Sequence, residues 1–213
     1  MNMTFRKIGN LCGLLAPALW ASAIIFAGCL RPEYSHFSQY ISELGERGGS
    51  TEFMMRYGAF VPTGLMHIAF AAFLSNAFKG SPVAQFAAML IAINGIARIS
   101  AGMFPCEPGC ALPRLLLSQQ LHSLSAGIGF FALIGASVLW GIVFRRYPSL
   151  RGLSAYSIVS GCLALLFLAL MTWSAELRAG TGLYERLSTG LLSLWMLVFA
   201  ARLWRLKAYL INP

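Results

Sequence analysis

Six apolar stretches of this chain are long enough, or nearly long enough, to cross a lipid bilayer as helices. The hydrocarbon core is about 30 Å thick, so a spanning helix needs about 20 consecutive apolar residues. Four uncharged runs meet this length, at residues 8–30, 57–78, 119–144 and 152–174. A fifth run, 83–104, is interrupted only by Arg98. The sixth, 187–201, reaches membrane length once it is extended back to include Glu185 and Arg186.

Composition and patterning favour an all-α membrane fold. The chain is 58% hydrophobic and 11% charged, whereas soluble domains average about a quarter charged residues. No segment shows the alternating ten-residue pattern of a membrane β-strand. The first apolar run is long for a cleaved signal peptide, and we expect it to remain as a helix. We therefore predict one integral membrane domain over residues 1–213, a polytopic bundle of six transmembrane helices at about 8–30, 57–78, 83–104, 119–144, 152–174 and 183–203.

The charges divide unequally between the two ends of the predicted bundle. The end with both termini has nine basic residues and no acid, whereas the other end holds all seven acids and the remaining seven basic residues. Because cytoplasmic loops are enriched in Lys and Arg, we expect a cell-membrane protein with both termini in the cytoplasm. The net charge of +9 is then explained by basic residues at the cytoplasmic side, near anionic lipid headgroups, and does not indicate a nucleic-acid partner. Membrane lipids are the predicted partners, and the sequence indicates neither a cofactor nor an oligomeric state.

The first outer loop contains a polar stretch, YSHFSQYISELG, at residues 34–45. Its apolar residues follow helical spacing, which predicts a short amphipathic helix along the outer membrane surface. His36 and Glu43 would lie two turns apart on it, about 10 Å along the axis, and could contact one ligand from either end. The alternative is a connector whose polar side chains, Ser42 included, are simply solvated.

Polar side chains also occur within the predicted helices, where such groups are rare and commonly functional. His67 falls near the middle of the second helix, and Asn94 and Arg98 lie four residues apart on one face of the third. His122 and Ser123 lie near the outer start of the fourth helix. These positions predict an outward-facing polar pocket with His67 at its floor. Because an unpaired charge is costly in lipid, we expect Arg98 to pair with one outer carboxylate among Glu43, Glu176 and Glu185.

Two of the five cysteines, Cys106 and Cys110, lie close together in the predicted third loop. The neighbouring prolines and a glycine favour a tight turn, and an outward loop in an oxidising compartment permits a disulfide. We expect a disulfide between them, with free thiols as the alternative. Two close cysteines without an adjacent histidine indicate a metal site only weakly.

Several of these segments together resemble a known membrane family. They are Arg31-Pro32, Tyr34-Ser35-His36, Ile41-Ser42-Glu43-Leu44-Gly45, the loop 104–110, His122 with Ser123, and Glu185-Arg186. The combination is similar to the bacterial and archaeal integral membrane family known as domain of unknown function 998. That resemblance covers nearly the whole chain and implies a six-helix membrane fold, but no activity. Ile41, Ser42 and Gly45 are also similar to an Ile-Ser-x-x-Gly motif of the Frag1/DRAM family, some members of which remodel lipid anchors, and this favours a lipid substrate.

The pocket and the resemblance favour a site that binds or modifies a lipid or lipid-linked molecule. In a hydrolase-like or transferase-like reaction, Glu43, His36 or His122 would act as general base, and Ser42 or water as nucleophile. Arg98 and Arg186 suit a phosphate or carboxylate group. The substrate-binding residues would be Arg98, His67, Asn94, Glu185, Arg186 and Ser123.

Two other functions and a metal-dependent variant stay open. Six helices with polar groups at membrane depth also fit a transporter or channel, although no duplicated halves are visible. The Ala-rich and Gly-rich helices fit a non-catalytic assembly subunit. If the site binds a metal, its ligands would be His36, Glu43 and His122, a set of two histidines and one carboxylate that suits zinc.

Overall fold

The structure is a computed structural model that describes residues 3–110 and 116–206. The regular elements of these residues are all helical, and six of the helices are long and apolar enough to span a membrane. The predicted all-α bundle of six membrane helices is thereby confirmed. The helices are α1 (Met3–Cys29), α2 (Glu52–Ala77), α3 (Pro82–Met103), α4 (Leu117–Phe144), α5 (Ser154–Ser174) and α6 (Thr181–Arg205).

The six helices form a closed ring. Each helix packs against the helix that follows it in the chain, and α1 also packs against α6. The crossing of α2 and α3 is very close, because a Cβ added at Gly64 would lie 2.5 Å from the Gly95 carbonyl oxygen. Small residues allow helix backbones in membranes to approach in this way. The ring encloses a central space that is filled differently at its two ends.

One end of the ring has a dense aromatic core, and we call it the aromatic end. It carries the start of α1 and the turns that join α2 to α3 and α4 to α5. Phe199 lies at the centre of the core, with ring centroids 4.7 Å from Phe144 and 4.9 Å from Trp140. Phe78 packs edge-on against Trp140 at 4.9 Å. All four side chains are at most 2% exposed, so this half of the bundle is packed solid.

The other end is covered by loops, and we call it the capped end. The cap consists of the segments 30–51, 104–110 and 175–180, which connect α1 to α2, follow α3, and connect α5 to α6. Ion pairs join these segments to one another and brace the first of them: Arg31 with Glu46, Arg47 with Glu107, and Arg178 with Glu43. The cap is therefore a connected structure rather than three separate loops.

The first segment of the cap is less helical than the sequence predicts. The short predicted helix is a single 3-10 turn, Ile41–Gly45, and the residues before it form turns. The physical reason is that α6 binds the backbone of this segment. The Leu183 N–H donates to the Phe37 carbonyl at 2.9 Å, and Arg186 Nη1 donates to the Gln39 carbonyl at 3.0 Å. Those carbonyls therefore bond to α6 and not within a local helix.

α2 begins at Glu52, before the predicted start at residue 57, and contains a π-helical turn at Arg56–Phe60. Glu52 and Arg56 form an ion pair one helical turn apart. Arg56 Nε also donates to the Gly102 carbonyl near the end of α3, at 2.7 Å. Two charges that satisfy each other thus extend the helix beyond its uncharged run.

Candidate functional site

A cavity of about 80 Å³ lies inside the ring beneath the cap. Side chains of α1, α2, α3, α4, α6 and the 3-10 turn line it, with apolar walls that include Trp20 and Phe60. One water molecule needs about 10–15 Å³ of such space, so the cavity has room for several waters or one small polar group. Its polar lining consists of Ser42, Asn94, Arg98, His122, Ser125, Glu185 and Thr189.

The cavity lies close to the capped end. Arg98 is five residues from the end of α3, and His122 is five residues into α4, which places both about 7 Å along the helix axes from that end. Glu185 is four residues into α6. On the opposite side, Leu133 and Leu192 belong both to the cavity wall and to the cluster that contains the aromatic core. The cavity is therefore closed toward the aromatic end.

Arg98 is the cation of the cavity. Its guanidinium lies 4.1 Å from the ring centroid of Trp20, and Nη1 donates to Thr63 Oγ1 at 3.4 Å. An aromatic face attracts a guanidinium and partly replaces a counter-ion. Of the five N–H donors of an arginine, most are therefore left for a group in the cavity.

The expected pairing of Arg98 with a carboxylate is wrong. Within residues 3–110 and 116–206, Arg98 takes part in no salt bridge. Two of the candidate partners are engaged or remote, because Glu43 is bound by Arg178 and Glu176 is exposed in the cap. Glu185 lines the same cavity as Arg98, but its Oε2 accepts from the Ile41 N–H and its carboxylate forms no ion pair with Arg98.

His122 has one ring nitrogen bound and one available. Nδ1 lies 3.0 Å from the Ala101 carbonyl oxygen and 2.9 Å from the Phe104 carbonyl oxygen. Carbonyl oxygens only accept, so Nδ1 carries the proton of the neutral ring and Nε2 is an acceptor. The ring also packs edge-on against Phe60, with centroids 6.3 Å apart. His122 can therefore accept a hydrogen bond or a proton from a group in the cavity.

Glu185 and Ser42 reach the cavity from the cap side. Glu185 Oε2 accepts a hydrogen bond from the Ile41 N–H at 2.6 Å, which holds the 3-10 turn against α6. The residue is 8% exposed. Ser42 Oγ lies 3.3 Å from Cys110 Sγ, and the hydroxyl is the donor because a disulfide sulfur carries no proton. Both side chains thus combine a structural contact with a place in the cavity wall.

Asn94 forms the deep polar edge of the cavity. Its Nδ2 donates to the Gly129 carbonyl at 2.8 Å, and its Oδ1 lies 2.6 Å from His67 Nδ1. The amide therefore links α2, α3 and α4. The sequence predicts His67 at the floor of the pocket, but its side chain is buried against Asn94 and does not line the cavity.

Glu43 lies in the cap and not on the cavity wall. Arg178 binds its carboxylate, together with Gln39 Nε2 at 2.9 Å and the Tyr40 N–H at 2.9 Å. Arg178 also donates to the Gly109 carbonyl. The pair of Glu43 and Arg178 thus joins the three segments of the cap, and the hydrogen-bonding capacity of the carboxylate is largely used.

His36 of the cap and Arg186 of α6 form a separate cluster outside the cavity lining. Arg186 Nε donates to His36 Nδ1 at 3.2 Å, and Nη2 donates to the Tyr34 hydroxyl. A Cβ added at Gly28 of α1 would overlap the imidazole. Burial and the nearby Arg186 charge lower the pKa of His36, which keeps the ring a neutral acceptor. Burial also raises the pKa of Tyr34, whose hydroxyl donates to the Tyr40 carbonyl.

Ser123 lies outside the cavity, and the residues of the predicted metal set are not brought together. Ser123 lines a different groove, between α3 and α4, with Gln120 and Leu124. The possible metal ligands His36, Glu43 and His122 lie in three different environments. In the part of the chain that the structure describes, no group of three His, Cys, Asp or Glu side chains could hold a metal ion.

Cys106 and Cys110 form the predicted disulfide, with their Cα atoms 5.1 Å apart. The loop that they close is fixed to the first segment of the cap. The Glu46 carboxylate accepts from the Gly109 N–H, and the Arg47 N–H donates to the Cys106 carbonyl at 2.9 Å. The disulfide therefore braces the part of the cap that carries Ser42.

The sequence does not reveal every residue of the cavity. Trp20 sits in an uncharged run that contains nothing to mark it as the partner of Arg98. Ser125 was discernible in principle, since it lies one helical turn after His122, and its hydroxyl bonds to Ser100 at 2.7 Å. Arg178 shows no sequence signal for its contact with Glu43.

The fold and the cavity define a polytopic helical membrane protein with a polar site beneath a loop cap. The chain belongs to the family described as Protein of unknown function (DUF998), whose model matches residues 14–202. That range contains every residue of the cavity, and the membership confirms the resemblance to this family. No curated protein and no solved structure matches the chain, and the similarity to the Frag1/DRAM family stays a prediction.

Proposed function

We propose that this protein binds the anionic group of a lipid or lipid-linked substrate in the cavity beneath the cap. The observation that carries the proposal is Arg98, a guanidinium inside the ring with no carboxylate partner among the described residues. A half-buried guanidinium without a counter-ion is unfavourable, and the Trp20 ring offsets this cost only in part. A phosphate or carboxylate from a ligand would offset this cost, and the arginine fork suits both groups.

A lipid is the best-supported source of that anion. Arg98 and His122 lie about 7 Å from the capped end, a depth close to the boundary between headgroups and hydrocarbon. The excess of basic residues at the aromatic end supports a cytoplasmic location for that end. We therefore place the capped end on the outside of the cell membrane, with the cavity at the outer leaflet.

The cavity also supports a catalytic version of this function. Ser42, His122 and Glu185 line the same space. His122 Nε2 is the group suited to act as general base, and the Ser42 hydroxyl or a water is the nucleophile of a hydrolase-like or transferase-like reaction. Glu43 and His36, the other catalytic candidates, support the cap in this proposal.

Transport is less well supported than binding from one side. A transported solute needs a path between the two ends of the ring. The aromatic end is instead filled by Trp140, Phe144, Phe199 and their neighbours. A site with a closed floor fits a receptor or an enzyme for lipids.

The test is to identify the lipids that remain with the purified protein. We expect native mass spectrometry to show bound phospholipid on the wild type and at least about tenfold lower occupancy on Arg98→Gln, because one charge-assisted contact is lost. Arg98→Lys keeps the charge without the fork and should retain part of the binding. The matched control is Arg205→Gln, at an exposed arginine of α6. Equal lipid occupancy on folded Arg98→Gln and wild type would overturn the proposal.

A further inference from the structure

We infer, building on the lipid-binding function above, that the cavity takes a head group with two poles, an anionic group and a primary ammonium, as in a phosphoethanolamine lipid. Arg98 would hold the anionic pole, and Glu185 would hold the ammonium pole. The two side chains line the same cavity. No salt bridge joins them in residues 3–110 and 116–206.

The pairing of the other carboxylates makes Glu185 distinctive. Every other buried or half-buried glutamate that the structure describes has an arginine partner. Glu185 is buried and forms no salt bridge, whereas Glu176 is exposed to the surroundings of the cap. The pairs are Glu33 and Glu46 with Arg31, Glu43 with Arg178, Glu52 with Arg56, and Glu107 with Arg47.

The arginines near Glu185 at the capped end are bound to other groups. Arg186, its neighbour in the chain, donates to Tyr34, His36 and the Gln39 carbonyl. Arg178 is held by Glu43 and the Gly109 carbonyl. Glu185 itself uses Oε2 for the Ile41 N–H, which leaves Oε1 for a donor in the cavity.

A cavity with a positive and a negative wall is complementary to a zwitterion. A purely anionic head group would satisfy Arg98 and leave Glu185 without a cation, which is unfavourable for a buried carboxylate. A hydrogen-bond acceptor at His122 Nε2 adds a further partner for the three N–H groups of a primary ammonium.

A quaternary ammonium fits this cavity poorly. Such groups carry no N–H and are recognised by open aromatic faces. Trp20, Phe60 and Phe130 line the cavity. The guanidinium of Arg98 lies over the Trp20 ring, and Phe60 packs edge-on against Trp20 and His122. The small volume of about 80 Å³ also favours a compact ammonium.

The test compares lipids that differ only in the head group. The full chain in detergent is titrated with dioleoyl phosphatidylethanolamine, phosphatidylglycerol or phosphatidylcholine, and the apparent Kd is read from the thermal midpoint. We expect the wild type to prefer phosphatidylethanolamine by about tenfold or more. Glu185→Gln should remove this preference while binding of phosphatidylglycerol persists. Glu176→Gln, a carboxylate exposed in the same cap, is the matched control and should behave as wild type.

Two more arms separate the alternatives. The first arm measures binding of soluble O-phosphoethanolamine to the wild type. If it binds as tightly as the lipid, the cavity recognises the same two charged groups on a free ligand and not on a lipid. If Glu185→Gln does not fold, Glu185→Asp keeps the charge and should keep part of the preference. An unchanged preference in Glu185→Gln would overturn the inference and leave Glu185 with the Ile41 contact alone. If Arg98→Gln still loses lipid in that case, the proposed function stands without the second pole.

Discussion

Glu43 and Glu185 are both buried at the capped end, yet their contacts give them different roles. Glu43 accepts from Arg178, Gln39 and the Tyr40 backbone, whereas Glu185 accepts from the Ile41 backbone. We expect Glu43→Gln to lower the free energy of unfolding by about 1–3 kcal/mol, because Arg178 would lose its counter-ion in a partly buried pair. Chemical or thermal unfolding in detergent measures the change.

The control for that prediction is Glu33→Gln, which removes a carboxylate that is 70% exposed from its pair with Arg31. Exposed pairs contribute little, so its effect should stay below about 1 kcal/mol. A double-mutant cycle with Arg178→Met then isolates the coupling of the buried pair. Equal effects of Glu33→Gln and Glu43→Gln would show that the contact with Arg178 does not stabilise the cap.

We expect the attachment of the first cap segment to depend on pH through His36. Its ring accepts from Arg186 Nε and faces the Tyr34 ring and Gly28, so protonation would place two cations together. Burial and Arg186 lower the pKa of His36 below its usual value. The contact therefore contributes fully above about pH 6.5, and its stabilisation is lost as the pH falls from there through the lowered pKa. After correction for the intrinsic pH dependence of exchange, the protection of the amides in residues 34–40 should fall over this interval.

The variant His36→Gln tests the assignment of that pH dependence. Its amide oxygen can still accept from Arg186 but does not titrate. The protection of the same segment, corrected for the intrinsic pH dependence of exchange, should then vary much less between about pH 7.5 and pH 5, which lie on either side of the ordinary histidine pKa of about 6.5. The same loss of protection in the variant as in wild type would place the titrating group elsewhere.

At the level of elements, the contact of α2 with α3 depends on two glycines. A Cβ at Gly64 would lie 2.5 Å from the Gly95 carbonyl oxygen, and backbone atoms cannot rotate away. We expect Gly64→Ala to destabilise the protein by about 1–3 kcal/mol, the range typical of overpacking. Gly127→Ala in α4 is the matched control, since nothing lies within 4 Å of an added Cβ there. It should be neutral or stabilise by about 0.5–1 kcal/mol. Similar unfolding midpoints for the two variants would contradict the close crossing.

The helices themselves were predictable because length and apolarity determine a membrane span. The rule fails at Glu52 and Arg56. Both are charged, so a search for uncharged runs leaves them out, yet they form an ion pair that extends α2. Prediction from the sequence fails again in the first cap segment, where local spacing predicts more helix than the 3-10 turn Ile41–Gly45. There α6 supplies hydrogen bonds from about 150 residues away in the chain, and local periodicity contains no information about such a partner.

For the whole molecule, the depth of polar residues along the helices predicted several of the residues that meet in the cavity, whereas His67, predicted in the same way, is buried against Asn94 outside the lining. Arg98, Asn94, His122 and Glu185 were predicted from their positions within helices, and the ring brings all four to one cavity. Their partners were less predictable, because several groups compete for each charge in a three-dimensional cap. Arg178 forms the ion pair with Glu43, and Arg98 instead contacts the ring of Trp20. The asymmetry between an aromatic end and a capped end then favours access from one side.

The orientation of this asymmetric ring in the membrane is the last testable property. Cys29 is exposed at the capped end of α1, and Arg146 is exposed at the aromatic end. Because the basic residues favour a cytoplasmic aromatic end, an impermeant maleimide should label Cys29 in intact cells. Cys29→Ser should remove that labelling, and Arg146→Cys in the Cys29→Ser background should react only after permeabilisation. The opposite pattern would place the capped end in the cytoplasm, and the cavity would then face the inner leaflet.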